Sequence, residues 1–175
     1  LGVGVMTLYA FSSDNWKRSA VEVSFLMRLL QSYLENEVEA LVENGVRLIF
    51  IGRRDRVPAP LATAMTSAEA RTSICQRLTV RIALDYSARD AILNAARQAA
   101  YIEAFDRDSF SRLLSGGSGN FDVDLLIRTS GEKRLSDFLL WECAYSEFYF
   151  TDRHWPDFTA ADLAVALKEF RMRDR

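Results

Sequence analysis

Nine consecutive residues, Arg128 to Ser136, carry two arginines, two serines, a threonine and a glycine. Guanidinium forks and hydroxyl donors match phosphate oxygens, and each charge-assisted hydrogen bond of this kind contributes about 1.5 to 3 kcal/mol. The stretch follows the apolar run Leu125, Leu126, Ile127 and leads into a second, "FLLWECAYSEFYF" (138–150). The polar half therefore fits a diphosphate, and the apolar half fits a body that shelters hydrocarbon. A second cluster, "FSSDNWKRS" (11–19), offers Ser12, Ser13, Asn15, Trp16 and Arg18, and a third, "DYSARD" (85–90), offers Asp85 and Arg89. Each alone also has a plain structural reading: a solvated or ion-paired loop for 128–136, a helix-capping turn for 12–15, a helix cap for Asp85. His154, the only histidine, reads as a surface-loop residue. The sequence holds no Ser/His/Asp set, paired histidine ligands or glycine-rich nucleotide fingerprint, which argues against hydrolase, zinc and dinucleotide chemistry.

Composition limits what such a site can belong to. With 175 residues, 49% of them apolar, the chain has material for one core and one domain over 1–175. Its 22 basic and 24 acidic side chains leave a net charge of -2, no general field for nucleic acid, so an anion site must be local. Cys75 and Cys143 lie in apolar or helical surroundings away from metal-ligand spacing, which predicts reduced thiols in a cytoplasmic protein and no cysteine nucleophile. No apolar run approaches the ~20 residues that span a bilayer, and the first residues lack the basic start of a signal peptide.

The clusters must be carried by alternating strands and helices. Continuous apolar runs predict strands over 3–11, 46–52, 78–86 and 121–131, with a short one at 147–150. Val23, Leu26, Leu30, Leu34, Val38 and Leu41 recur at helical spacing, predicting a helix from 20 to 45 with Ser19 and Glu22 as a capping box and Gly45 as its stop. Pro58 and Pro60 open a helix to about 73, Ser87 and Asp90 begin another, and shorter helices are expected over 107–114, 136–145 and after Thr159. "SGGSGN" (115–120) reads as a flexible connection. Strand-helix alternation with continuously apolar strands implies an α/β fold with a mainly parallel, doubly wound sheet flanked by helices. Such sheets bind ligands beyond the carboxyl ends of their strands, where all three polar clusters fall.

In order along the chain, "LYAFSSDNWKRS", an E-V-x-x-L-M helix, "NGVRLIFIG", "DYSARDAI" and "DLLIRTSGEKRLSDFLLWECAYSEFYFTDRHWPDF" resemble the cis-prenyltransferases typified by undecaprenyl diphosphate synthase. The resemblance covers nearly the whole chain. It implies transfer of isopentenyl units from isopentenyl diphosphate to an allylic diphosphate such as farnesyl diphosphate, with Mg2+, in a homodimer whose product grows in an apolar tunnel and brings peripheral membrane contact. By resemblance, Arg128, Arg134 and Ser136 bind the isopentenyl diphosphate and Glu147 is the metal-associated carboxylate. Ser12, Asn15, Trp16 and Arg18 face the reacting ends of both substrates, with Glu22 on the mobile stretch that closes over them. Phe11 and Tyr145 correspond to aromatic groups packed beside the site. One face of the 20–43 helix, with Leu78, Val80 and Ile82, is expected to line the tunnel, and Phe25 to limit product length.

Departures accompany the matches. The family's opening H-x-x-x-x-M-D-G-N-G-R-W-A segment, whose aspartate anchors metal, has no counterpart in 1–175, so the sequence is expected to be truncated there and slightly at its carboxyl end, and inactive in transfer as it stands. "YSAR" (86–89) replaces Y-G-G-R, and Asp137 and Glu142 stand where the family has amides. Alternatives to a polyprenyl diphosphate product are a short or irregular prenyl diphosphate, or a non-catalytic partner subunit of a prenyltransferase.

Overall fold

The computed structural model describes residues 2–103, 105–116 and 122–173. These form two compact units, Gly2–Ser87 and the chain from Ala88 onward, each described by itself.

The first unit is built on three parallel strands, β1 (Val5–Ser12), β2 (Val46–Ile51) and β3 (Leu78–Tyr86), in the order β1-β3-β2. Central β3 is buried from Arg81 through Tyr86, which is why its sequence reads as an unbroken apolar run with few exceptions. Helix α1 (Ala20–Glu43) starts at Ser19, whose hydroxyl accepts from Glu22 N–H at 3.3 Å, and ends before Gly45, whose φ of 68° only glycine adopts freely. Helix α2 (Ala59–Thr72) follows Pro58. At the sheet edge, Leu48 N–H donates to Thr72 Oγ1 at 3.0 Å and Phe50 N–H to Glu69 Oε1 at 2.8 Å, so α2 satisfies backbone groups that an edge strand otherwise leaves open. Val23, Met27, Leu34 and Val38 of α1 pack with Leu48, Phe50, Leu61, Met65 and Ile82 into one core.

The second unit contains α3 (Ala88–Ala99), α4 (Arg107–Leu114), a parallel pair β4 (Leu125–Arg128) and β5 (Glu147–Phe150), and α5 (Ala160–Met172). Asp106 caps α4 and Thr159 caps α5 through reciprocal boxes. Trp141 Nε1 donates to Ser111 Oγ at 3.0 Å while its ring meets Phe110 edge-on at 4.6 Å, tying α4 to the segment before β5.

Two local expectations fail. β4 is four residues long rather than spanning 121–131, because Ser130 and Gly131 both take positive φ and turn the chain; Phe121 lies outside the described residues, as does most of the connection expected at 115–120. The helix expected over 136–145 is a series of turns. Ser136, Asp137 and Leu139 have φ values of 52°, 61° and 46°, which interrupt a right-handed helix despite the apolar spacing.

Candidate active site

The carboxyl end of β1 does not run straight. Ala10 of β1 and Asp85 of β3 are each passed over in the pairing, so that Phe11 faces Leu84 and Ser12 faces Tyr86. Such irregularities re-aim side chains at a strand's end. From there the chain enters a short 3-10 helix, Ser13–Lys17, and Ser12 N–H donates to Asn15 Oδ1 at 2.9 Å, closing the loop on itself. Phe11 is buried and meets the Trp16 ring edge-on at 5.4 Å. Trp16 Nε1 is buried and has no hydrogen-bond partner among the described residues, a donor left for something else to satisfy. Arg18 and Glu22 form an ion pair at 2.7 Å, both half-exposed.

A cavity of about 520 Å³ opens beside this loop, lined by Trp16, Arg18 and Arg56 on its polar side and Val23, Met27 and Leu61 on its apolar side. Leu78, Val80 and Ile82, expected along the tunnel, are not among the residues lining this cavity; Ile82 is core and Val80 packs against the core. Phe25 is not among its lining residues either, and stands exposed on α1 in one row with Val21, Leu29 and Tyr33.

In the second unit, Arg128 ends β4 and its Nη2 donates to Ser136 Oγ at 3.4 Å, while its buried Nε has no partner. Arg134, on the same turn, is ion-paired to Glu132 and largely exposed. No helix begins at this turn. The Ser130 and Gly131 N–H groups donate to Arg153 O at 2.7 Å and Thr151 O at 2.9 Å, so these two amides are spent within the fold and side chains supply the turn's charged donors. Asp137, which stands where the family has an amide, is bonded to the start of α3. Its carboxylate accepts from Arg89 N–H and its carbonyl from Ala88 N–H, both at 3.0 Å, at the first turn of α3, where a negative charge is favoured.

Glu147 opens β5, and its carboxylate is bonded by Arg173. Among the described residues no three His, Cys, Asp or Glu side chains gather as a metal site. A lone carboxylate suits Mg2+ only where substrate phosphates supply further oxygens. Tyr145, expected to pack beside the site, is 92% exposed within its own chain. Burial pushes the Cys143 thiol up, away from reactivity.

Sequence reasoning missed Arg56. Nothing in "GRRDRVP" distinguishes it from its neighbours, whereas in the fold its guanidinium lies over the Trp16 ring, 5.3 Å from the centroid, and is bonded through two nitrogens by Asp85.

A parallel α/β frame with arginines at its strand ends places charged donors where such folds hold their ligands, and comparison gives the class: the chain belongs to the prenyltransferase family described as "Putative undecaprenyl diphosphate synthase", whose model matches residues 1–175. It is 60% identical over 174 residues to isoprenyl transferase 1 of Bradyrhizobium diazoefficiens, covering 99% of this chain and 71% of that one. Against the isoprenyl transferase of Listeria monocytogenes it is 45% identical over 184 residues, covering 100% and 72%. Among solved structures, lavandulyl diphosphate synthase from Lavandula x intermedia in complex with dimethylallyl diphosphate superposes with a TM-score of 0.94 at 36% identity, covering 99% of this chain and 78% of that one. A probable undecaprenyl diphosphate synthase from Campylobacter jejuni gives 0.90 at 36% identity, covering 98% and 82%. The chain is thus an isoprenyl transferase by family, with the expected fold. No helix among the described residues is long and apolar enough to cross a membrane.

Proposed function

We propose that the protein extends an allylic diphosphate with isopentenyl diphosphate, giving a polyprenyl diphosphate with cis double bonds, as one cytoplasmic catalytic domain that acts as a homodimer. The observation that carries the substrate assignment is Arg128, whose guanidinium touches Ser136 yet keeps a buried, unpartnered Nε at the end of β4. A guanidinium with a buried, unpartnered N–H and further donors at a partly exposed strand end is matched by a diphosphate oxygen. Arg134 leaves its exposed pair with Glu132 at little cost, since such surface pairs contribute only about 0 to 1 kcal/mol. Arg18, in its pair with Glu22, is equally exchangeable and faces the allylic diphosphate with Trp16.

In this reading the allylic carbon–oxygen bond breaks as diphosphate departs, the carbocation-like allyl alkylates the isopentenyl double bond, and that unit then loses a proton. Arginine and hydroxyl donors stabilise the charge on the departing group, and Ser12 and Asn15, locked to each other, orient the reacting ends. Mg2+, when bound, would neutralise diphosphate charge, and Glu147, now paired with Arg173, would be the residue to hold it. The test uses the full-length protein. Arg128→Ala and Arg134→Ala should each raise the isopentenyl diphosphate KM about 10- to 100-fold, the worth of one charge-assisted hydrogen bond. Unchanged KM in both variants refutes the site.

A further inference from the structure

We infer that Asp85 and Arg56 form a positioning pair that fixes Trp16 and the loop 12–17 for prenyl transfer, an inference resting on the reading that this loop faces the substrates. Asp85 is 0% exposed and is the residue passed over in the β1–β3 pairing, with φ of 50°. Left-handed backbone at a strand end is strained for most residues and tolerated by Asp and Asn. Here it directs the carboxylate away from the sheet toward two targets. Ser13 Oγ, in the first turn of the loop, donates to Asp85 Oδ1 at 3.0 Å. Arg56 Nε donates to Oδ2 at 2.9 Å, and Arg56 Nη2 donates to Oδ1. One buried carboxylate thus anchors the loop through a hydroxyl and a guanidinium through its fork.

The fork fixes the guanidinium plane, and the Trp16 ring lies against it, 5.3 Å from its carbon to the ring centroid, with Phe11 meeting that ring edge-on. Trp16 is therefore held between a core aromatic and an immobilised cation, while Ser12 and Asn15 on the same loop are tied to Ser13 by chain continuity. Gly52 permits the arrangement: Arg53 N–H reaches Asp85 O at 3.1 Å only because no Cβ stands between β2's end and the carbonyls of Leu84 and Asp85. A planar, bidentate, stacking cation is the role that arginine fills and lysine does not.

The test labels the full-length protein with 5-fluorotryptophan; within residues 1–175 the tryptophans lie at 16, 141 and 155, and single Trp→Phe substitutions assign their fluorine resonances. In Arg56→Ala the Trp16 resonance should shift or broaden while those of Trp141 and Trp155 stay. Turnover should fall about 10- to 100-fold, the usual penalty of lost alignment, with the isopentenyl diphosphate KM within about twofold because that site is not built on this loop. Arg56→Lys, which keeps charge without the fork, should recover less than about a tenth of the turnover. Asp85→Asn, at home at this φ, should reproduce both effects and covers the case in which Arg56→Ala does not fold. Arg53→Ala, removing an exposed pair with Asp55, is the control. A Trp16 shift without loss of turnover overturns the proposal, as does loss of turnover without a Trp16 shift, since Arg56 would then act on substrate directly. Parental turnover in Trp16→Ala refutes the substrate-facing reading of the loop itself, and the proposal with it.

Discussion

Replacing Gly52 with alanine tests how tightly the sheet holds the site. A Cβ built at Gly52 falls 2.1 Å from Leu84 O, more than 1 Å inside ordinary contact, and 3.0 Å from Asp85 O. Both oxygens belong to the backbone of central β3, where Leu84 is fully packed, so neither can yield as a flexible side chain would. The φ of 111° at Gly52 adds strain that alanine does not relieve in place. Overpacking costs about 1 to 3 kcal/mol, the backbone conformation about 1 to 3, and the Arg53 N–H to Asp85 O bond about 1 if it is lost. Together Gly52→Ala should destabilise the protein by roughly 3 to 7 kcal/mol, a fall in Tm of roughly 6 to 28 °C. Any folded remainder should carry a displaced Asp85 and reduced turnover. Circular dichroism with thermal and urea denaturation measures this, with Gly4→Ala, whose Cβ meets nothing within 4 Å, as a control expected within about 0.5 kcal/mol of the parent. Gly52→Ala unfolding within about 1 kcal/mol of the parent would refute the close-approach argument and remove Gly52 from the support of the Asp85 pair.

Phe148 and Phe150 stack at 6.1 Å on the partly exposed side of β5, near the exposed Tyr145 in sequence. An apolar patch of this kind fits a two-fold contact. Light scattering at micromolar concentration should give twice the monomer mass and Phe148→Asp should halve it; a monomer throughout rejects the homodimer. At the start of α3, Asp137→Ala removes the acceptor of Arg89 N–H and should cost about 1 kcal/mol in urea denaturation, while Asp137→Asn, which keeps the acceptor, should cost less than half of that. Equal losses would show that Asp137 does not act as a cap.

Those tests separate what lies in the chain from what lies in the fold. β3 (78–86), β5 (147–150) and α4 (107–114) have the bounds their residues predict. Burial on both faces writes an apolar run into β3, and helical spacing with a capping aspartate writes α4. The ordered motifs from "LYAFSSDNWKRS" to "TDRHWPDF" carried the family for the same reason: they are contiguous, and contiguity is what a sequence records. The segment 136–145 has apolar spacing suited to a helix but takes left-handed backbone at three positions, with Asp137 bonded to the start of α3 and Leu139 buried, neither of which local propensity records. Asp85 reads as a helix cap until a strand irregularity turns it toward Arg56, 29 residues away in the chain. The sequence by itself determined the strand-helix alternation and the chemistry available at the strand ends. Only tertiary structure decided which arginine is locked by a buried carboxylate and which stays exchangeable, because desolvation and long-range pairing depend on residues that the chain brings together only when folded.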